Sequence, residues 1–586
     1  MKIRKVFVVC ASLIAIVLLV TSCGSNEATT GLIQESSSET PKNGGTLNLV
    51  YPFDIGIYDP VSQGQMMGPV GQLVYEELLC EDWTKGSAGS GEVAWVMNVT
   101  PAPDTAMGVL AESWEIPELG TIVFEIRRGV RWALDPEIEA SQLMNGREVT
   151  SDDCIVSFNY LMDQEQSPIK FWSPQIAATA TLVKTGPWEV TLKTPVDPLG
   201  GWSWFVCGSN WLYLFPREVI EKYGGMSDWQ NVVGTGPFML TNSIAGSSAT
   251  LKKNPDYWGK DPIGPGKGNK LPYVDNIKFL VIPDTSTSDA AFRSGKADII
   301  VSAAEAAINF IQNAPELKYR SFLQGQPGVI LMRTDKNTLP YHDKRVRQAM
   351  MLAIDYSALK DDLYGGEAEI LAFPVTSENM QVYVPLEEMP KEVQTLFSHN
   401  TDKARELLTE AGYSEGFTAN IIVPNMFGIT DFASLIKSMW SEVGITLEIQ
   451  PQELSVFNSI SYSRSYDDIM LTYLPVGSVA YPSCLNLGYF GKVSIGYVDD
   501  PVIDSVSQEI KKNVIINMAE ANRLYRDLIP HIVEQVHYLP LPSVYTYSLW
   551  WPWIKNYYGE TPWRLFMYLW IDQDLKVEIL ESEKGH

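Results

Sequence analysis

Two serines each stand three residues before a lysine, Ser167 to Lys170 and Ser434 to Lys437, and Lys184-Thr185-Gly186 adds a second piece of the penicillin-binding pattern. In that chemistry the serine is the nucleophile and the lysine a candidate base. The third piece, Ser-Asp-Asn, is missing, and the Lys-Thr-Gly lies before the later tetrad and too close behind the earlier one to occupy a strand of its own. These residues read as solvated helix and turn positions. His531 and His537 stand too far apart for the one-face spacing of a metal-binding helix pair, and no His-Glu-x-x-His run occurs. Gly264-Pro265-Gly266-Lys267-Gly268 has the look of a phosphate loop, but Gly follows the lysine where Ser or Thr is needed, so it reads as a surface loop. Paired carboxylates could hydrolyse a glycoside, yet 70 acidic residues offer many pairings and nothing singles one out. The expectation is a protein without catalytic residues, metal or cofactor.

The elements that would position any site alternate between strands and helices. Apolar residues recur at period two in Thr46-Leu47-Asn48-Leu49-Val50-Tyr51 and again at Ile122, Phe124 and Ile126 before a turn at Arg128-Gly129. Thr150 with Asp153 three residues on predicts a capping-box helix start, with Cys154, Phe158 and Leu161 on one face. Asp343 is a cap candidate before the stripe Val346, Ala349, Met350, Ala353 and Ile354. Thr401 opens a further helix that Gly412 is placed to end. Mixed elements over this length, without a repeat or a Ser-Gly linker, predict an α/β architecture in at least two lobes joined by crossing strands.

The first residues carry an address. Lys2, Arg4 and Lys5 precede an apolar run from Val6 to Val20 that is short for a membrane span. Val20-Thr21-Ser22-Cys23 then resembles the lipobox cut by the lipoprotein signal peptidase, so residues 1–22 read as a signal peptide and Cys23 as the lipid anchor. Residues 23–45 are rich in Ser, Thr, Glu, Gly and Asn and read as a flexible tether. The 586 residues are 45% hydrophobic and 19% charged, enough for more than one core. A net charge of -26 argues against nucleic acid as a partner. Cys80, Cys154, Cys207 and Cys484 form no Cys-x-x-Cys pair, which removes the zinc and thioredoxin readings. Disulfides and buried free thiols both stay open.

A series of short motifs follows in one order: Gly44-Gly45-Thr46-Leu47, Asp59-Pro60, Val74-Tyr75-Glu76-Glu77-Leu78, Leu110-Ala111-Glu112-Ser113-Trp114 and the strand and turn from Phe124 to Trp132. After them come the helix start Asn145 to Asp153, Gly234-Thr235-Gly236-Pro237-Phe238, Asn254-Pro255-Asp256-Tyr257-Trp258, Phe292 to Asp298, Asp343 to Ala349 with Ala353-Ile354-Asp355, and Ala404 to Leu408. Together they resemble the large solute-binding proteins of the dipeptide- and oligopeptide-transport family, the extracellular solute-binding proteins of family 5. Most of these motifs also read as turn and core residues. Gly234 and Gly236, for instance, are needed for positive φ or for close backbone approach.

The resemblance implies a periplasmic-binding-protein-like, two-lobed α/β fold with a hinge (type II, cluster C-like) and an extra subdomain in lobe one. Lobe one would hold residues 46–325 and 545–586, lobe two residues 326–544, with crossings near Phe322 to Met332 and near His537 to Trp550. It also implies an extracytoplasmic receptor, periplasmic or on the cell surface, monomeric and lipid-anchored. Its partners would be a peptide or other oligomeric small solute and the permease and ATPase subunits of an ATP-binding-cassette importer.

The expected ligand-binding residues are Val61, Ser62, Gln63 and Met66 after Asp59-Pro60, Tyr473, Gly477, Ser478 and Tyr481 in lobe two, and Tyr547 near the second crossing. Peptide binders of the family usually carry a Trp and then an Asp that neutralises the peptide amine. The run Tyr473 to Pro482 has no acidic residue. Either another carboxylate serves, or the solute has no free amine, in which case the tryptophans and tyrosines around Trp202, Trp204, Trp211, Tyr545, Tyr547, Trp550 and Trp551 could stack on an oligosaccharide. An exported hydrolase is the third reading.

Overall fold

In a computed structural model of the chain the described residues are 39–63, 68–96, 101–196, 198–206, 212–323, 327–426, 428–474 and 495–584. The alternation in Thr46–Tyr51 (β1) buries Leu47 and Leu49 completely and sets β1 at the centre of an eight-stranded sheet. Its other strands are Phe238–Ile244 (β2), Ser248–Lys253 (β3), Asn276–Val281 (β4), Ile299–Ala303 (β5), Lys318–Leu323 (β6), Ala368–Glu369 (β8) and Ser543–Trp550 (β13). The order is β6-β13-β5-β1-β4-β3-β2, with β8 on β13. β1 runs parallel to β4 and β5. Asp298, immediately before β5 and fully buried, accepts hydrogen bonds from the Asn48 amide at 2.7 Å, Trp553 Nε1 at 2.8 Å and Lys576 Nζ at 2.6 Å. It ties β1, the C-terminal segment and the helix Gln573–Lys584 together.

Several of the ordered motifs meet at one side chain. Glu76 is buried and accepts from Thr235 Oγ1 at 2.7 Å, Tyr257 Oη at 3.1 Å and Trp258 Nε1 at 3.1 Å. The glycine turn, the Asn-Pro-Asp-Tyr-Trp segment and the Tyr-Glu-Glu segment are thereby joined. Burial pushes the Glu76 carboxyl up to about 7 despite these donors. Gly234 and Gly236 are needed for close approach, not for positive φ: a Cβ there would meet the Val74 carbonyl oxygen at 2.0 Å and 2.6 Å. The inserted subdomain carries a four-stranded antiparallel sheet of Ala111–Glu118, Thr121–Ile126, Glu189–Lys193 and Thr181–Gly186 in that order. Beside it lies the helix Ser151–Asp163, with the capping box formed by Thr150 and Asp153. Cys80 and Cys154 are buried free thiols, and burial pushes both thiols up.

A second core is built on a five-stranded sheet of Gly328–Met332 (β7), Phe417–Pro424 (β9), Ile445–Gln452 (β10), Ile469–Tyr473 (β11) and Tyr538–Pro540 (β12). The order is β10-β9-β11-β7-β12, with β9 parallel to β10 and to β11. Asp343 caps the helix Lys344–Leu352, whose apolar stripe enters this core. Arg347 is buried there and donates to the carbonyls of Tyr341 at 2.9 Å and Gln535 at 2.8 Å; burial pulls its guanidinium down to about 10. The two cores are separate apolar clusters, so the fold is a two-lobed α/β fold.

Residues 39–45, whose composition reads as tether, lie against lobe one. Lys42 pairs with Asp572 at 2.9 Å, Lys555 with Glu39 at 3.1 Å, and the Gly44 amide donates to the Tyr273 carbonyl at 2.9 Å. Among the described residues no helix is long and apolar enough to cross a membrane.

Candidate functional site

The chain passes from the first sheet to the second after β6 and returns between β12 and β13. In lobe one, β6 and β5 both pair antiparallel to β13, so the end of β6 and the start of β13 lie at the C-terminal ends of β5 and β1. In lobe two, Gly328 at the start of β7 pairs with Tyr473 at the end of β11, and Pro540 at the end of β12 pairs with Val329. Both crossings therefore join the carboxyl edge of one parallel set to the carboxyl edge of the other. The carboxyl ends of parallel strands are where loops rather than side-chain layers are free to meet a ligand, which makes these two joined edges the candidate site.

Large apolar side chains stand in water on both edges. In lobe one these are Phe53, just past β1, at 68% exposure and Ile244, ending β2, at 54%. In lobe two they are Met426 at 48%, Val456 at 47%, Leu454 at 44% and Tyr473 at 44%. Asp54 accepts from the Gly246 amide at 3.2 Å and so fixes the β2–β3 turn beside the Phe53 segment. Glu453 caps the helix Leu454–Ser463 through the Ser455 and Val456 amides, and the Ser455 hydroxyl together with those amides holds its carboxyl below the usual range.

Beside the start of β13 the carboxylates of Glu367 and Glu369 meet tyrosines. Glu367 accepts from Tyr547 Oη at 2.6 Å; Glu369 accepts from Ser377 Oγ at 2.6 Å and Tyr545 Oη at 3.5 Å. Burial raises the Glu369 carboxyl, and burial together with Glu369 pushes Tyr545 up to about 12. Glu369 Oε1 is buried with no hydrogen-bond partner.

Five of the nine ligand-binding residues expected from sequence are described. Val61 has no exposed surface and belongs to the lobe-one core. Ser62 is half-buried, its amide on Asp59 Oδ1 at 3.1 Å and its hydroxyl 3.0 Å from that of Ser227. Gln63 ends the short helix Pro60–Gln63. Tyr473 stands on the lobe-two edge, and Tyr547 is buried against Glu367. Met66, Gly477, Ser478, Tyr481 and Cys23 lie outside the described residues, as do Trp211, Cys207 and Cys484.

Trp202, Trp204, Trp550 and Trp551 are core residues rather than stacking faces: Trp202 donates to the Pro101 carbonyl, Trp204 to Ser173, and Trp551 stacks on Trp553. The exposed apolar residues Phe53, Met426, Leu454 and Val456 were not among the residues expected from sequence. Each follows the end of a parallel strand closely, which is the signal that could have found them.

Two lobes joined by two short crossings at their carboxyl edges define the class as a two-lobed binding protein. The comparisons with known proteins agree. Residues 105–487 match the model of the bacterial extracellular solute-binding proteins, family 5, middle region. The chain belongs to that family. It is 22% identical over 470 residues to heme-binding protein A of Haemophilus influenzae, covering 76% of each protein. It is 22% identical over 480 residues to a dipeptide-binding protein of Pseudomonas aeruginosa, covering 78% of this chain and 84% of that one. Among solved structures it is similar to the periplasmic binding protein of a Helicobacter pylori ABC transporter in complex with the peptide STSA. There the TM-score is 0.66 at 18% identity, over 91% of this chain and 99% of the other.

Proposed function

We propose that this chain is the extracytoplasmic receptor of an ATP-binding-cassette importer, which captures a peptide between its lobes and delivers it to the permease. The observation that carries the reading is the pair of carboxyl edges joined by two crossings, since hinge rotation there would open and close the space between the lobes around a solute. The peptide and transporter assignments rest on the relatives named above. In this reading lobe one comprises residues 46–325 and 545–586 and lobe two residues 326–544, a division supported by the two separate cores, with β8 and the first two residues of β13 joining the lobe-one sheet. The chain acts as a monomer, lipid-anchored through Cys23 outside the cytoplasmic membrane, and ATP binds its partner.

Residues 24–586, without the anchor, are to be melted in the presence of short peptides and of oligosaccharides. A ligand that binds only the folded state adds about 2.7 kcal/mol at a hundredfold its Kd. Stabilisation by peptides is the expected result; stabilisation by sugars alone rejects the peptide reading. For the anchor, Cys23→Ser in the full-length chain is expected to move the protein from the membrane fraction to the soluble one.

A further inference from the structure

We propose that the cleft selects short peptides with apolar side chains and net positive charge, and discriminates against acidic ones. The inference rests on the peptide-receptor reading and sharpens it.

Charge on the described parts of the two edges is one-sided. The described segments that form them are 51–58, 244–247, 281–286, 302–305 and 543–547 in lobe one, and 425–426, 452–457 and 473–474 in lobe two. None of these contains Lys or Arg, whereas Asp54, Asp284, Glu305 and Glu453 all do lie in them, and Glu367 and Glu369 flank the start of β13. The cation nearest in sequence to the first crossing, Arg320, is already engaged by Glu378 at 3.0 Å and the Ala94 carbonyl at 2.7 Å. An ammonium or guanidinium entering the cleft gains carboxylate neighbours. A carboxylate entering it loses water and meets like charge.

The second observation is independent of charge. Phe53 and Ile244 on one edge and Met426, Leu454, Val456 and Tyr473 on the other are all close to half exposed or more. Exposed apolar groups on both edges would be covered if a solute with apolar side chains were enclosed between the lobes. Carboxylates carried on several segments also replace the single aspartate that is missing from Tyr473 to Pro482.

The test uses the chain from Gly24 and calorimetric titration with three tripeptides: Lys-Leu-Leu, Glu-Leu-Leu and Lys-Ser-Ser. Lys-Leu-Leu is expected to bind about tenfold or more tighter than either of the others. Equal binding of all three overturns the selectivity and leaves the peptide receptor standing. Failure of every peptide to bind overturns both. Val456→Lys, at an exposed helical position, is expected to leave the melting temperature unchanged and to shrink the preference over Glu-Leu-Leu by about tenfold. An unchanged preference in a folded variant counts against the proposal.

Discussion

The guanidinium of Arg320 donates to one oxygen of Glu378 at 3.0 Å, and the other oxygen accepts the Leu323 amide at 3.0 Å. A single, largely buried carboxylate from the lobe-two segment thus holds both the middle and the end of β6, the strand that leads into the first crossing. Glu378→Ala leaves the amide without its acceptor and the guanidinium with only the Ala94 carbonyl. A loss of about 1–3 kcal/mol in urea unfolding is expected. Glu378→Gln keeps one acceptor and should recover part of it.

Asp298 is the costlier carboxylate to remove. Its truncation to Ala strands the Lys576 ammonium and the N–H groups of Asn48 and Trp553. Breaking such a buried pair costs about 3–5 kcal/mol. Denaturant midpoints for Asp298→Ala and Asp298→Asn check this, with Asn expected to fall between Ala and the parent.

Gly234 answers a different question, namely whether the glycine turn serves ligand or fold. A Cβ would overlap the Val74 carbonyl, so Gly234→Ala is expected to destabilise by about 1–3 kcal/mol through backbone shift. Peptide affinity of the surviving folded fraction should be unchanged; a loss of affinity at full stability would show that the turn touches the solute.

Some of this was legible beforehand. The period-two alternation of Leu47 and Leu49 and the Thr150–Asp153 capping box are local signals, and each acts through groups a few residues apart. The cleft is not local. Phe53 and Tyr473 come to the carboxyl edges of two different sheets that the crossings join, and no spacing in the chain encodes that. His531 and His537 teach the same lesson. Their spacing rules out one helix face, yet both reach Oδ2 of Asp500, at 2.9 Å and 3.2 Å, because the helix Met518–Gln535 ends between them and Val536 turns the chain at φ 48°.

That cluster sets a pH dependence. Burial holds His537 below the ordinary histidine value, against the opposing bond to Asp500 and with the help of the Arg347 charge. The unfolded chain therefore binds this proton first, and stability contributed by neutral His537 is lost as pH falls below about 6.5. Asp500 runs on a lower window: burial opposes its charge, but bonds from His537, the Ile503 amide and His531 outweigh burial and hold it well below the usual carboxylate range. Its contribution persists at neutral pH and is lost only beneath about 3.9. Glu76, pushed up to about 7, gains stability as pH falls over the same range, so His537 is isolated by comparison with His537→Gln: the urea midpoint of the parent relative to that variant should decline from pH 8.0 through 6.5 to 5.5.

The second crossing consists of Leu541 and Pro542, with Pro540 closing β12 before them. Both prolines have φ locked, Leu541 is confined to extended conformations by the proline that follows, and its amide is fixed to the Gly328 carbonyl at 3.1 Å. The connection behaves as a taut strap with few soft torsions. The lobes can swing about it but have little freedom to slide or to drift apart, so enclosing a solute orders almost no new backbone there. Affinity is then set by what the edges hold and is scarcely taxed by connector entropy.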